Sequence, residues 1–290
     1  MELVDDVLTR LGLDRPPNAD MSGLRSIYAA WCLSVPFDNL AKLIALRAPK
    51  GEALPGMDAI RFFKRWLEHG VGGTCWVTSN ALCELLLALG FDARRVAGSM
   101  GDTGHLGHGS VKVRIDGADW LTDSSMLTDV PLPLTDELFI HDGPAFRAEV
   151  EAVDDTHIVW ADLPPNPSLV PCRLLVDQAT HATYTQRYEA SRVRSPFNER
   201  LFATRNLDGQ RLVLSANTRI MKTASGIQTK ALSRSRVCES LRDEIGVSGT
   251  FIDQWVACGA LDASFAPAMA PPPHSVPRDP PSRRVQNRLV

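Results

Sequence analysis

The sequence predicts an α+β protein, on three observations: apolar residues recur at helical spacing in the first third, alternate in the middle, and return to helical spacing near residue 240. With 290 residues, 44% of them hydrophobic and 22% charged, the chain can bury a large core and approaches the length at which cores divide. Lys plus Arg number 31 against 34 for Asp plus Glu, a net charge of -3, which excludes a broadly basic nucleic-acid surface and points to a small partner. No apolar run approaches membrane-spanning length, so no membrane partner is expected. The start Met1-Glu-Leu-Val-Asp-Asp is acidic and lacks the order of a secretory signal, which predicts a cytoplasmic setting.

The elements follow in order. Leu3, Val7 and Leu11 mark a first helix ending at Gly12, and Leu24, Ile27, Trp31 and Val35 a second that stops before Pro36. Ile60, Phe63, Trp66 and Leu67 mark a third. A fourth starts near Thr74, carries Leu82, Leu85, Leu86 and Leu89 inward, and ends where Gly90 can turn left-handed. From Phe91 the period becomes two: 91–97, 108–115 and 119–123 read as strands, with Asp116-Gly117 a two-residue hairpin turn between the last two. Runs at 158–161 and 169–176 also read as strands, and Asp208-Gly209 centres a second hairpin between 201–207 and 210–215. Ser233 to Ile245, closed by Gly246, returns to helix. Beyond it seven prolines fall within the fifteen residues from Pro267, followed by Arg283, Arg284 and Arg288, which reads as a disordered tail over 266–290.

The six cysteines stand at irregular wide intervals without a C-x-x-C pair, so neither a disulfide framework nor a metal site is expected. Cys75 differs from the others in position. Val71-Gly-Gly-Thr-Cys-Trp puts it in the first turn of the leucine-rich helix, where unpaired N–H groups and the helix dipole favour a thiolate. Cys83, two turns on among leucines, reads as a packed core thiol. A thiolate nucleophile needs an imidazole and a group to orient it. If Asp116-Gly117 is a two-residue loop, Ser110 lies opposite Asp123, and His108 shares its face on the diagonal at roughly 7–8 Å, within reach of an imidazole–carboxylate bond. His105 points the other way, so His108 is the candidate base and Asp123 its orienter.

The set Val35-Pro-Phe-Asp-Asn-Leu40, Gly72-Gly-Thr-Cys75 with Asn80 and Leu89-Gly-Phe91, His108-x-x-Val111-x-Val113, Trp120-x-x-Asp123 and Ser195-Pro-Phe197 resembles the arylamine N-acetyltransferase family, whose amide-synthase relatives share the fold. The resemblance implies an N-terminal helical bundle over 1–90, a β-barrel over 91–198 and an α/β lid over 199–265, with a Cys-His-Asp site between the first two. It implies Cys75 as nucleophile, His108 as acid/base and Asp123 as orienter, in a ping-pong transfer of acetyl from acetyl-CoA to an aromatic amine or hydrazine. Phe37, Trp76, Ser124, Ser125 and Met126 are the expected substrate contacts.

Three positions depart from that pattern. The arginine before Gly-Gly is Val71, so Asp38 lacks its usual charge partner there; Cys75 to Asn80 is one residue longer than in the family; and the D-V-G-F-G loop reads Asp123-Ser-Ser-Met-Leu127. The last change adds side chains where the family keeps space for pantetheine. An amide synthase taking its acyl group from a carrier-protein thioester is therefore the nearest alternative. A Cys-His-Asp hydrolase or transglutaminase-like enzyme, or a degenerate binding protein, is more distant.

Strand parity makes a direct prediction. His108→Gln should abolish the bell-shaped pH dependence and lower turnover on the order of 10²-fold or more, while His105→Gln stays within a few-fold. Steady-state rates across pH for both variants check it, and the reverse ranking would overturn the register.

Overall fold

The computed structural model describes residues 2–49 and 53–266. The Pro/Arg-rich stretch from 267 onward lies outside the described residues. Five helices and one short strand come first: α1 (Glu2–Arg10), α2 (Met21–Ser34), β1 (Phe37–Asp38), α3 (Leu40–Arg47), α4 (Ala59–His69) and α5 (Cys75–Ala88). Local chemistry sets their ends. Asp20 accepts from Gly23 N at 2.8 Å to start α2, and Asp58 accepts from Arg61 N at 2.9 Å to start α4. Gly70 (φ 70°) closes α4 and Gly90 (φ 86°) follows α5, both in the left-handed region that glycine enters freely. Leu82, Leu85 and Leu86 of α5 are buried, each contributing about 1.5–3 kcal/mol relative to exposure.

Eight strands follow: β2 (Asp92–Met100), β3 (His108–Ile115), β4 (Ala118–Thr122), β5 (Leu132–Pro133), β6 (Phe139–Asp142), β7 (Arg147–Val153), β8 (Thr156–Ala161) and β9 (Val170–Val176). They form one antiparallel sheet in the order β5-β4-β3-β2-β9-β8-β7-β6, whose end strands approach each other to make a nearly closed barrel. Ile115 pairs with Ala118 and Val111 with Thr122, the register that a two-residue turn at Asp116-Gly117 dictates. Between Ala97 and Gly98 the pairing of β2 with β9 shifts, a bulge beside the Gly98–His108 pair. Val96, Leu121, Met126, Phe146 and Val159 fill the barrel.

Helix α6 (His181–Ala190) leads to a second sheet of β10 (Phe202–Leu207), β11 (Gln210–Ser215), β12 (Thr218–Thr223) and β13 (Gly226–Ala231), with β1 added at its β10 edge. The hairpin at Asp208-Gly209 forms with Leu207 paired to Gln210. The helix expected over 233–245 divides into α7 (Arg234–Ser240) and a π turn at Leu241–Ile245, and α8 (Gly249–Ala257) and α9 (Ala260–Phe265) complete the described residues. Leu40 and Leu43 of α3 share a core with Ile252 and Trp255 of α8, tying the first and last thirds together.

Strand β3 and helix α5 approach closely at Gly109. A Cβ there would lie 2.8 Å from Trp76 and 3.1 Å from Tyr184, whose rings meet edge to face at 4.9 Å. Gly109→Ala should therefore destabilise the fold by about 1–3 kcal/mol through overpacking. Urea denaturation of the variant checks this, and an unchanged midpoint would show that the rings yield freely.

Candidate active site

The first turn of α5, the start of β3 and the turn after β4 meet at a cavity of about 750 Å³. Cys75, His108, Phe37, Trp76, Ser125 and Met126 all lie on its wall. Cys75 keeps 7% exposure where Cys83 keeps none, and burial pushes the Cys83 thiol up to about 11. Ahead of Cys75, the chain passes Pro36 so closely that a Cβ on Gly72 would sit 1.8 Å from the Pro36 carbonyl oxygen. Asp38 of β1 holds that approach: its Oδ2 accepts from Gly72 N at 2.6 Å and its Oδ1 from Leu40 N at 3.0 Å. Burial raises Asp38 to about 6 against the pull of those bonds and of Arg65. Val71 leaves no charge for Asp38, and Arg65 supplies one from α4 instead, donating also to Gly72 O at 3.2 Å.

His108 Nε2 lies 2.7 Å from Asp123 Oδ2, with His108 4% and Asp123 0% exposed. Cys75 Sγ donates to the carbonyl of Gly107, the residue before His108, at 3.9 Å, and Cys75 helps to raise the His108 imidazole. Ser110 Oγ donates to the same Oδ2. The other oxygen, Oδ1, accepts from Ser125 N at 2.9 Å, Ser125 Oγ at 2.8 Å and Met126 N at 2.8 Å. Burial opposes both charges, yet mutual attraction and these donors outweigh it: His108 stands well above its ordinary value and Asp123 well below the usual carboxylate range. His105, by contrast, is an exposed loop residue of the cavity mouth.

Ser124 requires a correction. It was expected to touch substrate, but it is fully buried, bonded to Ser79 and Thr78 at 2.8 Å each, and is not on the cavity wall. The parity of the turn sends its side chain toward α5, while Ser125 turns toward Asp123. Leu127, at the last position of that loop, takes φ 51°, which costs a non-glycine residue roughly 1–2 kcal/mol. Arg211 and Asn206 both donate to its carbonyl and hold it there.

Several further residues of the site come from elements distant in sequence. Tyr28 on α2 donates to Asp123 O at 2.8 Å and accepts from Asp123 N at 3.1 Å, and Tyr184 reaches the Val96 and Ser110 carbonyls at 2.7 Å each. Phe197 and Phe202 meet Phe37 edge to face at 5.1 and 5.9 Å on the cavity wall. Lys42, in the first turn of α3, lines the same cavity. Among the described residues no group of three or more His, Cys, Asp or Glu is arranged to hold a metal, and no helix is long and apolar enough to cross a membrane.

This fold is that of the N-acetyltransferase family. A family model described as N-acetyltransferase matches residues 20–251, and the chain belongs to the arylamine N-acetyltransferase family of enzymes. It is 34% identical over 91 residues to an arylamine N-acetyltransferase of Mycolicibacterium smegmatis, a match covering 31% of each chain. It is 27% identical over 125 residues to the proansamycin X synthase of Amycolatopsis mediterranei, covering 41% of this chain and 46% of that one. These matches span less than half the length of either curated relative. Among solved structures, the M. smegmatis arylamine N-acetyltransferase superimposes with a TM-score of 0.76 at 19% identity, over 89% of this chain and 98% of that one. The Mycobacterium marinum enzyme in complex with CoA gives 0.76 at 17% identity, over 90% and 98%.

The His108–Asp123 pair has a defined pH signature. Asp123 is depressed, so its contribution to stability is present above its ordinary 3.8 and lost as pH falls through the folded value. His108 is raised, so its contribution is present below 6.5 and lost as pH rises through the folded value. Asp123→Asn should accordingly cost most near about pH 5, by about 3 kcal/mol or more, with the gap narrowing toward acid and alkali. Urea midpoints across pH check this, and a constant gap would refute the coupling.

Proposed function

We propose that this enzyme transfers an acetyl group from acetyl-CoA, through a covalent acyl-Cys75, to a small aromatic amine or similar amine acceptor. The observation that carries this reading is the meeting of Cys75 and His108 on the wall of one cavity at a helix start, with buried Asp123 bonded to His108 behind them. His108 takes the thiol proton, and the Cys75 thiolate attacks the thioester carbonyl. The tetrahedral intermediate expels the CoA thiolate, which takes the proton back from the imidazolium and leaves as CoA thiol. The amine then attacks acyl-Cys75, His108 accepts the amine proton, and the amide departs as the Cys75 sulfur regains that proton. Asp123 orients the ring and stabilises its charge without itself being protonated.

The oxyanion of each intermediate lies against the Cys75 N–H at the start of α5. Thr74 supplies a second donor. Its Oγ1 is buried on the cavity wall, makes no capping bond to α5, and has no hydrogen-bond partner among the described residues. Phe37, Trp76, Ser125 and Met126 form the substrate wall. The CoA complex of the M. marinum neighbour supports acetyl-CoA as donor. The match to proansamycin X synthase favours, as a second reading, an amide synthase using a longer acyl thioester.

Single-turnover loading without amine, read by intact mass, decides among these. The native protein should gain one acetyl group from acetyl-CoA, mapped to Cys75, and Cys75→Ala none; Thr74→Val should slow loading on the order of 10²-fold. Loading only from longer thioesters would select the amide-synthase reading. Release of free acid at the full turnover rate without amine would make it a hydrolase. No loading from any thioester would overturn the mechanism.

A further inference from the structure

Two of the three departures from the family pattern face each other in the structure. The interval from Cys75 to Asn80 holds one residue more than that pattern and includes Thr78 and Ser79, and the residue after Asp123 is Ser124 where the pattern has valine. Their side chains form one cluster. Ser124 Oγ donates to Thr78 Oγ1 at 2.8 Å and lies 2.8 Å from Ser79 Oγ, and all three residues are fully buried. Ser79 Oγ donates to Gly109 O at 2.7 Å, and Thr78 Oγ1 donates to Thr74 O at 3.2 Å.

The cluster grips the chain beside each functional side chain. Thr74 precedes Cys75, Gly109 follows His108 and Ser124 follows Asp123, so three hydroxyls join α5, β3 and the turn after β4 at the residues next to those three. A threonine bonded to the carbonyl four residues back is ordinary in a helix. Its acceptance from Ser124, 46 residues away in sequence, is not. Each hydroxyl carries one proton, so the Ser124 proton can serve either neighbour on α5 and the three groups act as a unit.

An apolar pair at this junction would bury the same surface, but apolar contact has no preferred direction, whereas hydroxyl bonds fix distance and angle. Direction matters here, because a displacement on the order of 1 Å between reacting groups can cost about 10²-fold in rate. We propose that Thr78, Ser79 and Ser124 are positioning residues, a hydroxyl cluster that fixes Cys75 against the His108–Asp123 pair. This rests on the acyltransferase reading above and adds to it the residues that set the alignment.

Alkylation of Cys75 by iodoacetamide across pH tests the alignment without any acyl donor. Ser79→Ala, Ser124→Ala and the isosteric Thr78→Val should each raise the pH of half-maximal alkylation by about one unit, because an imidazole out of line stabilises the thiolate less. Single-turnover acetyl loading should slow about tenfold in each variant, and by about the same factor in the Ser79→Ala/Ser124→Ala double variant, since both changes break one link. Near-UV circular dichroism identifies the folded variants, and Thr78→Val, which keeps the native volume, supplies the reading where an alanine variant fails to fold. An alkylation profile unchanged in the folded variants overturns the proposal whatever their urea midpoints, because a cluster that only packs alters stability alone. Losses that multiply to about a hundredfold in the double variant overturn it too, by showing independent sites. Native protein that loads no thioester, with the alkylation shift intact, removes the acyltransferase reading and leaves the placement of Cys75 by the cluster standing.

Discussion

A carboxylate with no solvent exposure, Asp123, has to find all its hydrogen-bond donors inside the protein, and the junction between helices and barrel is arranged around that need. His108, Ser110, the Ser125 hydroxyl and the Ser125 and Met126 amides all donate to it, which leaves both oxygens saturated and the charged form favoured. The donors come from β3 and from the turn after β4, so the hairpin register and the turn geometry are set by one ion. Tyr28 adds the helical bundle to this arrangement by bonding both backbone groups of Asp123 and Thr128 N. Helix α2, the barrel and the imidazole that faces Cys75 are thereby held in one frame.

The turn behind Asp123 is under a different constraint. Leu127 and Asp129 have φ of 51° and 62°, conformations that side-chain-bearing residues adopt only when their surroundings hold them. Buried Arg211 of β11 does so, with its guanidinium 4.4 Å from the Phe146 ring and bonded to the Met126 and Leu127 carbonyls. Burial lowers that guanidinium to about 10, a cost offset by carbonyl dipoles and the Asp129 charge. The closing sheet thus contributes to the site by fixing the loop between Asp123 and the cavity.

On the opposite side, Asp38 does for Cys75 what Asp123 does for His108. It anchors the Gly72 amide and the first N–H of α3, so the glycine loop enters α5 with Cys75 in its first turn. Arg65 replaces the arginine missing at Val71 because α4 runs directly into that loop and delivers the same charge from a different backbone position.

Local patterns were legible without coordinates: the helices carrying Leu24 to Val35 and Leu82 to Leu86, the hairpins at Asp116-Gly117 and Asp208-Gly209, and hence the nearness of His108 to Asp123. Each of these follows from side-chain period or turn chemistry, which the chain states within a few residues. The short strands β5 to β7, helix α6 and the tyrosines Tyr28 and Tyr184 were not legible, because their role is to meet partners far away in sequence. Which way Ser124 points, and which arginine answers Asp38, were likewise open until the elements packed. The sequence by itself determined the helix-then-sheet order, the cysteine at a helix start and the histidine–aspartate face, since these depend on neighbours along the chain. Only the tertiary structure decided which buried groups complete that face, and that Lys42 stands in the cavity without a carboxylate, since these depend on neighbours in space.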